Sequence, residues 1–144
     1  MEIRAYQPGD EGAVVSLWQE CGLTRPWNDP RKDIARKLSI QPELFLVGTR
    51  DRRLVATVMA GYEGHRGWVN YLAVAADCRG RGYGRALMVR VEQLLLNFGC
   101  PKVNIQVRLS NAEAVAFYRA IGYAQDETIS LGKRLIPDDG SAAR

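Results

Sequence analysis

The chain has 144 residues, 47% of them apolar and 25% charged, with a formal net charge of +4. That is enough for one globular domain with a sizeable core, and it leaves no Lys/Arg run long enough for a nucleic-acid tail and no apolar stretch near the roughly 18 residues of a membrane span. His65 is the only histidine, which excludes a multi-histidine metal site. Cys21, Cys78 and Cys100 are odd in number and share no metal-ligand spacing, and Met1-Glu2-Ile3-Arg4 is not a secretory signal, so reduced thiols in a cytoplasm are expected.

Residues 2–6 alternate weakly and predict a first strand, broken by Pro8-Gly9-Asp10. Asp10 is placed to cap a helix reaching about Cys21, with Val14, Leu17, Trp18 and Cys21 in one apolar stripe. Asp29-Pro30, a cap residue followed by proline at the first helical position, opens a second helix carrying Ile34 and Leu38. Residues 44–49, 54–62 and 68–74 read as three antiparallel strands in succession. A tight turn at Asp51-Arg52-Arg53 and a longer one over 63–67 join them.

A helix over 85–98 carries Leu87, Val91, Leu94, Leu95 and Phe98 on one face, with Gly99 as its stop and Pro101 beyond. Residues 102–107 form a strand, Ser110 and Glu113 a capping box for a helix ending near Gly122, and residues 127–135 a last strand. From Pro137 onward the chain is polar and expected to be disordered. This order predicts an α/β (α+β) domain over 1–136 with a tail over 137–144. Its mixed, mostly antiparallel sheet has six to seven strands and about four helices on both faces.

Between the strand at 68–74 and the next helix lies Arg79-Gly80-Arg81-Gly82-Tyr83-Gly84, followed by Arg85. Alternate glycines let a ligand approach the backbone, and amides converging at a helix N-terminus beside three arginines suit a phosphate or pyrophosphate. A glycine-rich turn with solvated arginines is the plainer alternative. The run is not a P-loop, and Arg85 replaces the third glycine of a dinucleotide fingerprint. What remains, Arg79, Gly82 and Gly84 in Arg-x-x-Gly-x-Gly, resembles the acetyl-CoA pyrophosphate loop of the GNAT family of N-acetyltransferases. Downstream, Asn111, Ala114 and Tyr118 resemble that family's last motif at the expected distance. The resemblance covers nearly the whole chain. Val107-Arg108-Leu109-Ser110-Asn111 is similar to the subgroup that acetylates protein N-terminal α-amines, including ribosomal proteins.

The resemblance implies an acyltransferase that moves an acetyl group from acetyl-CoA to an amine by direct attack in a ternary complex, with no metal. Arg79, Gly80, Arg81, Gly82, Tyr83, Gly84, Arg85 and Asn111 would bind the cofactor. Leu72, Ala73 and Val74 would bond the pantetheine where the sheet splays at the acetyl-CoA site. Tyr118 would be the general acid toward the departing thiolate. A core tyrosine is the plainer alternative for Tyr118, and Asn111 can support the helix start as well as reach the cofactor.

The family's glutamate positions hold Gln106 and Trp68, so no general base is assigned; Gln106 and Asn70 are read as water or substrate positioners, and Glu63 and His65 as turn residues or ends of a water chain. Trp27 and Asp29 form a candidate substrate side, an exposed indole beside an acid suiting a cation, with Trp27 as a lid over the core the alternative. The implied partners are acetyl-CoA and an amine acceptor (protein N-terminus, peptide or small amine), with no nucleic acid and no membrane. A homodimer is compatible with the chain. A non-catalytic acyl-CoA-binding module and a nucleic-acid-binding domain are the rival readings.

Overall fold

The computed structural model describes residues 1–139. Its elements run in the order β1 (Glu2–Ala5), α1 (Glu11–Glu20), α2 (Pro30–Leu38), β2 (Phe45–Arg50), β3 (Arg53–Tyr62), β4 (Gly67–Val74), α3 (Tyr83–Asn97), β5 (Val103–Ile105) and α4 (Ala112–Ala120). The strands form one sheet in the order β1-β2-β3-β4-β5, antiparallel except for the last pair, which is parallel. Helices cover both faces. Asp51 and Arg52 both take positive φ (50° and 64°), as a two-residue hairpin turn with the right-handed twist requires.

Local signals explain most element ends. Asp29 caps α2, its carboxylate accepting from the amides of Arg31 (2.9 Å) and Lys32 (3.4 Å) ahead of Pro30. Gly99 (φ 83°) closes α3, and the amide of Cys100 bonds back to the Leu95 carbonyl at 3.0 Å. Two caps differ from expectation. The Asp10 carboxylate serves the turn before α1, accepting from the Gln7 amide (2.8 Å) and gripping Arg4 (2.7 and 2.9 Å). Asn111, not Ser110, caps α4 through the Ala114 amide at 3.1 Å.

The sheet has five strands, not six or seven. The missing strand is that expected over 127–135, which has no regular structure. Its apolar alternation is real, but Ile129, Leu131 and Leu135 find nothing to pack against and are 84%, 86% and 77% exposed. The segment is drawn instead toward α2. Arg134 hydrogen-bonds the Asn28 side chain. Asp138, in the stretch expected to be a tail, is buried and bonds Arg36 (2.5 Å) and the Asp29 amide (2.8 Å). The rest of that tail, 140–144, lies outside the described residues.

The core is continuous across both faces of the sheet and centres on Trp18, Phe45, Leu87 and Val91, all fully buried. One polar chain crosses it. The Trp18 indole N–H donates to Thr57 Oγ1 (2.9 Å), and the Thr57 hydroxyl donates to the Tyr71 carbonyl (2.8 Å).

Candidate active site

That carbonyl belongs to an irregularity in β4. Thr57 pairs with Ala73 and Met59 with Asn70, so Tyr71 and Leu72 stand opposite the single residue Val58. Tyr71 takes φ 53°, the left-handed region, which a bulky residue enters only when its surroundings hold it there. They do so from three sides. Its ring stacks on Trp18 with centroids 3.7 Å apart, its carbonyl accepts from Thr57, and its hydroxyl donates to Asp33 at 2.6 Å.

The bulge turns β4 away from β5. Parallel pairing joins Gly67 to Val103, Trp68 to Asn104 and Val69 to Ile105, and there it stops. A cavity of about 650 Å³ opens where the strands part. Asn70, Tyr71 and Leu72 line one side of it and Gln106, Val107 and Arg108 the other. Asn111, Ala114 and Tyr118 of α4 line it too, with residues of the α1–α2 connection and of α2. The cavity thus gathers Asn70, Leu72, Gln106, Asn111 and Tyr118 from three separate elements.

The glycine run sits beside the end of β4. Arg79 Nε donates to the Val74 carbonyl at 3.4 Å, and Arg79 Nη2 lies 3.9 Å from the Cys21 sulfur. Gly82 is the N-cap of α3, and the first amide with a helical acceptor is that of Ala86, to the Gly82 carbonyl (3.0 Å). The amides of Tyr83, Gly84 and Arg85 precede it and point out of the helix start. Arg79, Arg81 and Arg85 have no carboxylate partner among the described residues.

The three glycines have two separate causes. Gly80 (φ 76°) and Gly82 (φ 79°) supply the left-handed backbone of the loop, with open space where a side chain would be. Gly84 has an ordinary φ, but a Cβ there would lie 3.2 Å from the Phe117 ring, so it sets how closely α4 packs on α3.

Tyr118 is half-buried, edge-on to Phe117 and Tyr123, and burial pushes its phenol up to about 12. The Tyr123 hydroxyl donates to Glu92 (2.9 Å), which ties the end of α4 to α3. Asn111 Oδ1 is spent on the cap of α4. Ala73 is buried in the sheet, and Gln106 bonds the Ser130 hydroxyl.

Trp27 and Asp29 do not line the cavity. The Arg108 guanidinium already sits over the Trp27 ring, 5.9 Å from its centroid, and the Asp29 carboxylate is the α2 cap. Glu63 is also committed. It accepts from the amides of Arg66 and His65 and, at 3.4 Å, from the Trp68 indole, and those bonds hold its carboxyl below the usual range.

Sequence reasoning missed Tyr71, Asp33, Lys37, Arg25 and Arg36, all of which line the cavity. Lys37 carried a signal, since it falls three residues after Ile34 on the inner side of α2; both are buried, while the neighbouring Leu38 is exposed. Tyr71 carried none, because nothing in a strand pattern marks a left-handed tyrosine.

Among the described residues, no group of three or more His, Cys, Asp or Glu is placed to hold a metal ion, and no helix is long and apolar enough to cross a membrane. Residues 13–123 match the acetyltransferase (GNAT) family. An acetyltransferase of Yersinia enterocolitica is 51% identical over 96% of this chain and 98% of its own. Two solved structures share the fold. The ribosomal-protein-S18-alanine N-acetyltransferase of Escherichia coli has TM-score 0.68 and 24% identity over 84% of this chain and 76% of its own. The aminoglycoside 6′-N-acetyltransferase of Acinetobacter haemolyticus has TM-score 0.74 and 17% identity over 94% and 99%. The chain belongs to the acetyltransferase (GNAT) family.

Proposed function

We propose that this GNAT-family acetyltransferase is an N-acetyltransferase that uses acetyl-CoA and an amine in one ternary complex. The observation that carries this reading is the opening between β4 and β5, next to the unbonded amides at the start of α3. Acetyl-CoA supplies an acetyl group on a thioester; transfer forms an N–C bond, breaks the C–S bond and leaves a thiolate and one proton from the amine.

The fit of the chain to that donor rests on features already described. Tyr83, Gly84 and Arg85 offer amides at a helix N-terminus, with Arg79 and Arg81 beside them, for a pyrophosphate. Past the bulge, Leu72 and Val74 offer strand backbone on the side that β5 has left, for the pantetheine amides and the thioester oxygen. Asn111 and Tyr118 close the site from α4.

Tyr118 supports a hydrogen-bond role more than complete proton transfer. With its phenol pushed up to about 12, it stays protonated at neutral pH, while a free thiol ionises near 8.5. Tyr118 therefore meets the departing thiolate as a hydrogen-bond donor. The proton from the amine leaves through water, with Asn70 and Gln106 as positioners, which agrees with the commitment of Glu63 to its own turn. The fold that carries the activity on this reading extends past the expected boundary at residue 136, to the Asp138 clamp on α2. Its location is the cytoplasm, in keeping with three free thiols.

The test is thiol release from acetyl-CoA with a panel of amines, run beside a Tyr118→Phe variant. Amine-dependent release that falls roughly 100-fold in kcat for the variant is expected. Saturable coenzyme A binding with no release on any amine would mark a binding module instead.

A further inference from the structure

We propose that the acceptor is a small amine that also bears a carboxylate, and that Lys37, Arg25 and Arg108 receive that carboxylate. The inference rests on the acetyl-transfer reading and narrows its substrate class.

Lys37 is the first reason. It is only 9% exposed and lines the cavity, yet its ammonium makes no hydrogen bond or ion pair with the described residues. A buried ammonium normally has a partner, because desolvation is costly and the protein must offset it. Here burial lowers the Lys37 pKa, and Glu43 restores only part of it from a distance. A ligand carboxylate would complete the pair.

The other two cations point the same way. Arg25 is held by the carbonyls of Gly22 (2.7 Å) and Thr24 (2.9 Å), both reached through one terminal nitrogen, which leaves the rest of its fork to face the cavity. Arg108 lies on the Trp27 ring with no carboxylate beside it. Planar forks held in place are well suited to a carboxylate.

The single acidic side chain on the wall is the second reason. Asp33 has one oxygen bonded by the Tyr71 hydroxyl (2.6 Å) and the other by Arg36 (3.2 Å). Arg36 is in turn neutralised by Asp138. Nothing anionic is left on the wall for a second ammonium. A polycationic acceptor would meet three unpaired positive charges, whereas an amino acid presents one amine to the thioester and one carboxylate to them.

The experiment compares L-amino acids with their carboxamides as acceptors, for the wild-type chain, Lys37→Met and Arg108→Gln. Each free acid is expected to exceed its amide in kcat/KM by at least tenfold, as the loss of one charge-assisted contact implies. That ratio should shrink in both variants, through a rise in KM for the acids. Retained coenzyme A-induced stabilisation shows that each variant is folded, and Arg108, being exposed, secures the test if Lys37→Met does not fold.

Equal use of acids and amides overturns the proposal while acetyl transfer stands. A Lys37→Met chain that loses kcat on acids and amides alike overturns it too, since that is the behaviour of a base. Calorimetry of N-acetylated acids and amides against the coenzyme A complex separates the two levels. Preference for the acid without turnover of any amine would leave the carboxylate site standing as a binding site, but would overturn its assignment to an acceptor together with the transfer reading. Absence of both binding and turnover overturns both.

Discussion

Replacing Thr57 by valine should loosen the proposed acetyl-CoA site from inside the core. The change is nearly isosteric and leaves no cavity, so its cost comes from two groups that lose their partner. The Trp18 indole N–H is fully buried and would be left without an acceptor, and the Tyr71 carbonyl at the bulge would be left without a donor. An unsatisfied buried group costs about 1–3 kcal/mol, and the half-buried carbonyl sits at the low end. Valine recovers some of this by removing a buried hydroxyl, so a net loss of about 2–3 kcal/mol is expected.

For a domain of this size that loss lowers Tm by roughly 6–12 °C. Urea denaturation of Thr57→Val beside Thr57→Ser gives the measurement. Serine keeps both hydrogen bonds and should cost only about 1 kcal/mol for its missing methyl. With the Tyr71 carbonyl released, the stabilisation of Thr57→Val by coenzyme A should also shrink relative to Thr57→Ser. A Thr57→Val chain within 0.5 kcal/mol of wild type, or one less affected than Thr57→Ser, would show that the polar chain does not hold the bulge.

Reversing Arg81 to Glu should weaken coenzyme A binding at least tenfold by calorimetry and flatten its salt dependence, because a cation in the loop becomes an anion beside the pyrophosphate position. On the acid side, the Arg36 guanidinium and the Asp29 amide hold Asp138 down at about 2. A carboxyl depressed in the folded state stabilises it above its ordinary value of 3.8 and ceases to do so as pH falls toward 2; Asp138→Asn should flatten the urea-measured stability across that window. On the alkaline side the sign reverses. The Tyr118 phenol is raised from 10.0 to about 12, so its contribution is complete below pH 10 and lost as pH climbs through 12. Tyr118→Phe should therefore lose less stability than wild type between pH 10 and 11.5.

The groups legible in the sequence are those whose chemistry is local. Positive φ at Gly80 and Gly82, the Asp29-Pro30 start of α2 and the Gly99 stop each depend on a few adjacent residues, and each can be read from them. Asn111 and Tyr118 were legible by their distance from the loop. What escaped depends on partners far along the chain. The alternation over 127–135 looks like a strand, but strand formation needs an edge, and that stretch pairs with none. Trp27 and Asp29 have the right chemistry for a cation, yet one already carries Arg108 and the other caps a helix. Lys37 is marked only by its three-residue spacing from Ile34, and its burial follows once α2 is laid against the sheet.

The clamp at Asp138 marks a division of the site by the stretch of chain each part comes from. Everything proposed to hold the donor, from Leu72 to Tyr118, comes from one uninterrupted stretch of chain. The wall facing the acceptor is lined by the α1–α2 connection and α2, and Asp138 fastens the end of the described chain onto them from outside the cavity. Those pieces touch one another through Arg36–Asp138 and Asn28–Arg134, without passing through the glycine loop. Residues 22–40 and 124–139 therefore form a cassette. Grafted together from a relative, with Gln106 and Arg108 matched to them, they would carry over its acceptor range, and grafted singly they would leave Asp138 or Arg36 facing a stranger.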